Sequence, residues 1–116
     1  MIVDDDARVA QTMTRILSRD YDVTAVDRAV VALALLTRSV HFDAILCDVK
    51  MPGMSGEQFY ARLEQELPES CAKVVFLTAG AVNADEQAFL DGAGCPWLEK
   101  PFAVAELRRV VASVFT

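Results

Sequence analysis

The sequence predicts an α/β protein: a doubly wound, five-stranded parallel sheet with helices on both faces. Three observations carry this. Five short apolar runs alternate with five segments of helical periodicity along the 116 residues. Such alternation gives parallel strands joined by right-handed helical crossovers that cover both faces of the sheet. Four of the runs end in polar residues (Asp4-Asp5, Asp48, Thr78 and Lys100), and in such sheets ligands bind beyond the carboxyl ends of the strands. The length suits one domain, taken as residues 1–116, with room for one core and none for a separate substrate domain.

Each element has a local reason. Met1 to Asp4 reads as a short buried strand running into three carboxylates, the last of which, Asp6, is placed to cap a helix. Val9, Met13, Ile16 and Leu17 recur at helical spacing and carry that helix to about Arg19. Asp22 to Val26 is the second strand, and Asp27 is placed as the N-cap of a helix from Arg28 to Arg38. That helix is apolar nearly all round (Val30, Val31, Leu33, Leu35, Leu36), a pattern that fits either deep packing or an interface.

Phe42 to Cys47 is a third strand that delivers Asp48 to its end, followed by a Met51-Pro52-Gly53-Met54 turn. Ser55 and Gln58 have capping-box spacing, and Phe59, Leu63 and Leu67 line a third helix that stops before Pro68. Lys73 to Leu77 is a fourth strand, ending at Thr78. Asn83 and Glu86 start a fourth helix, with Gly92 at its C′ position. Pro96 to Glu99 is a fifth strand, closed by Lys100-Pro101. The last helix puts Leu107, Val110, Val111 and Val114 on one face, behind an Ala103 N-cap that lacks the side-chain acceptor worth about 1 kcal/mol.

Composition narrows the function. Seventeen acidic against eleven basic residues give a formal charge of −6 and a pI near 4.6, the wrong sign for a phosphate backbone, so no direct nucleic-acid contact is expected. Charge interrupts the apolar runs well short of the roughly 20 residues that cross a bilayer, so no membrane contact is expected either. Met1-Ile2-Val3 meets Asp4-Asp5-Asp6 without a basic region and apolar stretch of the secretory kind, which points to a cytoplasmic location. Cys47, Cys71 and Cys95 are odd in number, far apart and outside any CxxC pair, and read as reduced, buried structural thiols. His41 stands alone and reads as a loop residue rather than a ligand.

The rim residues suit one chemistry. Two adjacent carboxylates with a third from another strand suit a hard divalent cation such as Mg²⁺, which keeps several waters and accepts phosphate oxygens. Three carboxylates over-neutralise one such ion, so a basic group is wanted, and Lys100 is the candidate. A carboxylate is ionised at pH 7, so Asp48 needs no general base to act as a nucleophile; it needs relief from charge repulsion. The metal and Lys100 would supply that for a phosphoryl group in flight, and Thr78 would donate a hydrogen bond to one of its oxygens. The product is an acyl phosphate on Asp48, a hydrolysable group.

The chain resembles, over nearly its whole length, the receiver domain of two-component response regulators. The matching residues are Val3-Asp4-Asp5-Asp6, Ile45-Leu46-Cys47-Asp48, Met51-Pro52-Gly53, Thr78 in Val75-Phe76-Leu77-Thr78-Ala79, and Lys100 in Glu99-Lys100-Pro101-Phe102. The resemblance implies a flavodoxin-like sheet of order 2-1-3-4-5. It implies Asp48 as phosphoacceptor, served by a histidine kinase or histidine phosphotransfer protein. Mg²⁺ would be held by Asp5, Asp48 and the backbone carbonyl of Lys50, with Asp4 acting through water. The Lys100-Pro101 bond would be cis. The family's switch couples Thr78 to an aromatic on strand five, here Trp97 where Tyr or Phe is commoner, and so controls an output domain, a partner or a homodimer. The larger Trp97 ring either follows Thr78 or is fixed in place. The Lys50 side chain either contacts the phosphoryl group or lies in solvent.

Two other readings stand beside this one. Haloacid dehalogenase-type hydrolases also use an aspartyl nucleophile, Mg²⁺, Ser/Thr and Lys, with Asp4-Asp5-Asp6 as the DxD motif; Arg8 stands where that motif continues to Thr or Val. A pseudo-receiver would bind partners without phosphorylation. The Trp97 to Phe102 segment resembles receivers fused to the C-terminus of hybrid histidine kinases, and the first strand begins without the usual lead-in residues, as in a piece of a larger protein.

Overall fold

A computed structural model describes residues 1–80 and 82–115. The strands are β1 (Ile2–Val3), β2 (Ala25–Val26), β3 (Ile45–Asp48), β4 (Val74–Ala79) and β5 (Trp97–Lys100). The helices are α1 (Ala7–Leu17), α2 (Ala29–Thr37), α3 (Gly56–Glu66), α4 (Ala84–Ala93) and α5 (Val104–Val114). The strands form one parallel sheet in the order β2-β1-β3-β4-β5. This is the doubly wound, flavodoxin-like arrangement, with the order reversing between β1 and β3.

Side-chain parity divides the core. Val3, Ile45, Cys47, Val74 and Phe76 leave one face and pack with Leu33, Phe59, Leu63 and Leu90 of α2, α3 and α4. Ile2, Leu46, Val75, Leu77 and Leu98 leave the other and pack with Met13, Leu17, Leu107 and Val111 of α1 and α5. All these side chains are at least nine-tenths buried, so the central strands β1, β3 and β4 read as apolar runs rather than alternations. On the first face Tyr60, Phe76 and Phe89 meet edge-on, with centroids 5.1–6.0 Å apart.

Local signals act where expected in three helices. Asp6 caps α1, its Oδ1 accepting from the N–H groups of Arg8 (3.0 Å) and Val9 (3.4 Å). Ser55 and Gln58 form a reciprocal capping box on α3. Asn83 caps α4 by accepting from the Glu86 N–H at 2.8 Å. At α5 only half a box exists: Glu106 Oε1 accepts from the Ala103 N–H, and Ala103 has nothing to return.

Other boundaries differ from expectation. Asp27 does not cap α2; Arg28 holds the extended N-cap backbone and gives no side-chain bond. The fourth helix runs through Gly92 and ends at Gly94, which adopts the left-handed conformation at φ 68° and donates its N–H to Leu90 O. A 3₁₀ segment, Pro68–Lys73, fills the expected plain connection between α3 and β4, with Pro68 in its first turn where a missing N–H is harmless. The second strand is two residues rather than five, because its one neighbour, β1, offers a ladder only two residues long. On α2, Ala29, Ala32, Leu33 and Leu36 are buried while Val30 and Val31 face outward.

Candidate functional site

The polar strand ends meet on one rim. Asp4 follows β1, Asp48 ends β3, Thr78 lies one residue before the end of β4, and Lys100 ends β5. Asp4, Asp48 and Lys100 share the parity of Ile2, Leu46 and Leu98, and therefore the α1/α5 side of the sheet. Thr78 has the parity of Phe76, which directs it to the α4 side.

The Lys100 ammonium joins the two buried acids, donating to Asp4 Oδ2 at 2.8 Å and to Asp48 Oδ2 at 3.3 Å. Asp4 Oδ1 also accepts from the Asp6 N–H at 2.9 Å, and Asp48 Oδ1 from the Lys50 N–H at 3.4 Å. Carboxylate oxygens of Asp4, Asp5 and Asp48 lie within 4.8 Å of one another, with Asp5 exposed and the other two buried. Three carboxylates against one ammonium leave a net charge of −2, which a single divalent cation balances. Oxygen-only donors, two fixed and one free to turn in solvent, fit a small hard ion that keeps part of its water shell.

Electrostatics place the strain on Asp48. Burial pushes its carboxyl above the ordinary aspartate range; Lys100 pulls it back, and Asp4 pushes it up again. Burial lowers the Lys100 ammonium, but the two carboxylates outweigh that and leave it raised. One ammonium cannot compensate two carboxylates, and the shorter bond goes to Asp4. The uncompensated charge therefore rests on Asp48, beside the Cys47 thiol that burial also pushes up.

Thr78 Oγ1 is buried and has no hydrogen-bond partner among the described residues. A hydroxyl held dry and unpaired at the strand end carries a standing cost that an incoming anion would remove. The Lys100-Pro101 peptide is cis. Trp97 is half-buried against the α4-side core and pairs in register with Phe76. His41 is an exposed loop residue bonded to Asp43 at 3.0 Å. The cysteines are free thiols, Cys47 buried and Cys71 and Cys95 half-buried.

Two residues were missed by sequence reasoning. Gly56 starts α3 so close to the end of β3 that a Cβ there would overlap the Asp48 carbonyl oxygen and lie 2.8 Å from Val49 Cα. Its N–H donates to Val49 O at 2.9 Å. The second is Glu86, read only as a capping residue, whose Oε1 pairs with the Lys50 ammonium at 2.8 Å. The Lys50 side chain thus lies largely in solvent, with its ammonium tethered to Glu86 rather than placed on the acids.

A doubly wound sheet that gathers a carboxylate cluster, a lysine and a buried hydroxyl at its carboxyl rim defines a class of α/β domains with a ligand site at the topological switch point. A family model described as response regulator receiver domain matches residues 1–112. The response regulator protein FleR of Pseudomonas aeruginosa is 33 % identical over 114 residues, covering 97 % of this chain and 23 % of the relative. The two-component response regulator ARR14 of Arabidopsis thaliana is 31 % identical over 115 residues, covering 95 % and 29 %. The solved chemotaxis protein CheY4 of Vibrio cholerae superposes with a TM-score of 0.84 at 25 % identity, covering 98 % of this chain and 95 % of that one. The chain belongs to the response regulator receiver domain family of two-component signalling. It spans less than a third of the length of the curated relatives FleR and ARR14. Among the described residues no helix is long and apolar enough to cross a membrane.

Proposed function

We propose that residues 1–116 act as one phosphoacceptor unit in which Asp48 receives a phosphoryl group from the phosphohistidine of a histidine kinase or histidine phosphotransfer protein. The observation that carries this reading is the Lys100 ammonium shared by Asp4 and Asp48, with the unpaired, buried Thr78 hydroxyl at the same rim of strand ends. An Asp48 carboxylate oxygen attacks phosphorus as the phosphorus–nitrogen bond breaks, and the bonding pair returns to the imidazole. Lys100 shifts from neutralising two carboxylates to neutralising the transferred group, and Thr78 donates its hydroxyl to a phosphoryl oxygen.

Asp4, Asp5, Asp48 and the Lys50 carbonyl would hold Mg²⁺, which supplies charge neutralisation for the phosphoryl oxygens when bound. The same residues would later orient water for hydrolysis, so the domain catalyses both its phosphorylation and its dephosphorylation. Movement of Thr78 toward the phosphoryl group opens space for Trp97 on the same face, and that face controls an output domain, a partner or a second copy in the cytoplasm. A haloacid dehalogenase arrangement would need Asp6 free beside Asp4, whereas its Oδ1 is engaged in capping α1.

The test is incubation with Mg²⁺ and acetyl phosphate followed by intact mass. One added phosphoryl group is expected, absent in Asp48→Asn and after chelation of the metal. Equal labelling of Asp48→Asn would remove the assignment.

A further inference from the structure

Lys50 reaches in two directions. Its main-chain N–H meets Asp48 Oδ1 at 3.4 Å, while its ammonium crosses to Glu86 on the first turn of α4 at 2.8 Å. Glu86 is unusual for a first-turn acid: its side chain is only 10 % exposed. It is also fixed twice by Asn83, whose Nδ2 donates to Glu86 Oε1 at 2.9 Å and whose Oδ1 accepts from the Glu86 N–H. Among the described residues this ion pair is the one polar contact between the segment 49–58 and the start of α4. It spans a groove of about 500 Å³ lined by Val49, Met51, Pro52, Ser55 and Asn83 and by the further acids Glu57 and Asp85, neither of which pairs with Lys50 among the described residues.

A favourable charge at a helix N-terminus explains an acid at position 86 but not its burial against a cation from another segment. Lys50 itself is largely exposed, so the pair adds little to stability. Its consequence is positional. Lys50 follows Asp48 by two residues and carries its charge on a flexible four-carbon stem, so without Glu86 the ammonium is free to swing back over the acceptor.

We propose that Glu86 is a positioning residue that holds the Lys50 ammonium away from the phosphoryl group on Asp48, and so shortens the lifetime of the phosphorylated state. With Glu86 neutral, Lys50 pairs with the phosphoryl oxygens instead. It stabilises the acyl phosphate and occupies the space through which water approaches. This inference rests on the phosphoacceptor reading above.

The experiment measures phosphoryl loss from acetyl phosphate-loaded protein, in Mg²⁺ and after removal of the donor, by intact mass over time. Glu86→Gln keeps the shape and the Asn83 contact, and its phosphorylated half-life is expected to lengthen about threefold to tenfold, with Glu86→Ala moving the same way. In a Lys50→Met background, whatever its own lifetime, adding Glu86→Gln is expected to change nothing. A half-life unaltered by Glu86→Gln overturns the proposal, as does an equal lengthening with and without Lys50, which would mark a structural effect of α4. Absence of any phosphoryl uptake by the unmodified protein would fell the phosphoacceptor reading itself, a result distinct from normal uptake with unchanged lifetimes.

Discussion

Thr78 and Trp97 stand on the same face of neighbouring parallel strands, one diagonal step apart, because Trp97 pairs in register with Phe76 and Thr78 lies two residues beyond Phe76. A diagonal neighbour on a sheet is within reach of an aromatic side chain. The buried Thr78 hydroxyl therefore has a large ring as its lateral neighbour, on the side of the sheet away from Asp4, Asp48 and Lys100.

That relationship gives the first prediction. Thr78→Val removes a buried hydroxyl that has no partner, so it is expected to leave stability unchanged or raise it by about 1 kcal/mol in urea unfolding. The same change is expected to slow phosphoryl uptake from acetyl phosphate by roughly tenfold to a hundredfold. Trp97 is the chain's one tryptophan, and its emission should shift on phosphorylation of the native protein and stay constant in the variant. A native signal that does not move would end the proposed coupling without touching the acceptor chemistry.

Asp48 supplies a prediction in pH. Its carboxyl is raised by burial, so the folded chain holds that proton more tightly than the unfolded chain does. Stability is therefore lost as pH rises above the unfolded aspartate value of about 3.9, and the whole penalty is present once the folded carboxyl has ionised. In chelator at pH 7, Asp48→Asn should melt higher than the native protein by roughly 2–5 °C, corresponding to under about 1 kcal/mol. The gap should close toward pH 4. A variant that melts lower at pH 7 would mean that the Lys100 contact outweighs the cost of burying the charge.

Gly56 is demanded by sterics rather than by a turn. A methyl group there must displace main-chain atoms of Asp48 and Val49, which no side-chain rotation relieves. Gly56→Ala is expected to cost about 2–3 kcal/mol in urea unfolding despite alanine's better helix propensity, and to lower phosphoryl uptake because the displaced residue is the acceptor. An unchanged midpoint would show that α3 slides away freely.

Asp5 separates metal binding from folding. It is exposed and makes no side-chain hydrogen bond among the described residues, so Asp5→Asn should unfold within about 0.5 kcal/mol of the native protein in chelator. Added Mg²⁺ should raise the unfolding free energy of the native protein in step with occupancy, by about 2.7 kcal/mol at a hundredfold excess over the dissociation constant, and its melting point with it. The same titration should be shifted to higher Mg²⁺ in the variant. Coincident curves would take Asp5 out of the metal site.

The sequence by itself determined the succession of strands and helices, the caps at Asp6, Ser55 and Asn83, and the polar residue that ends each rim strand. Those signals lie within one helical turn or one strand, where capping and periodicity act without help from the rest of the chain. It pointed to Gly92 as the end of α4, whereas Gly94 ends it: both glycines are able to adopt the left-handed conformation, and the packing of Leu90 into the core decides where the helix stops. Asp27 looked like a cap and is not one, because the edge strand hands the chain to α2 a residue later. Only the tertiary structure decided that Lys50 pairs with Glu86, 36 positions away, that Gly56 must clear the Asp48 carbonyl, and that Thr78 is buried without a partner. These depend on how crossovers seat helices against particular strand ends, a distance that no local pattern of residues encodes.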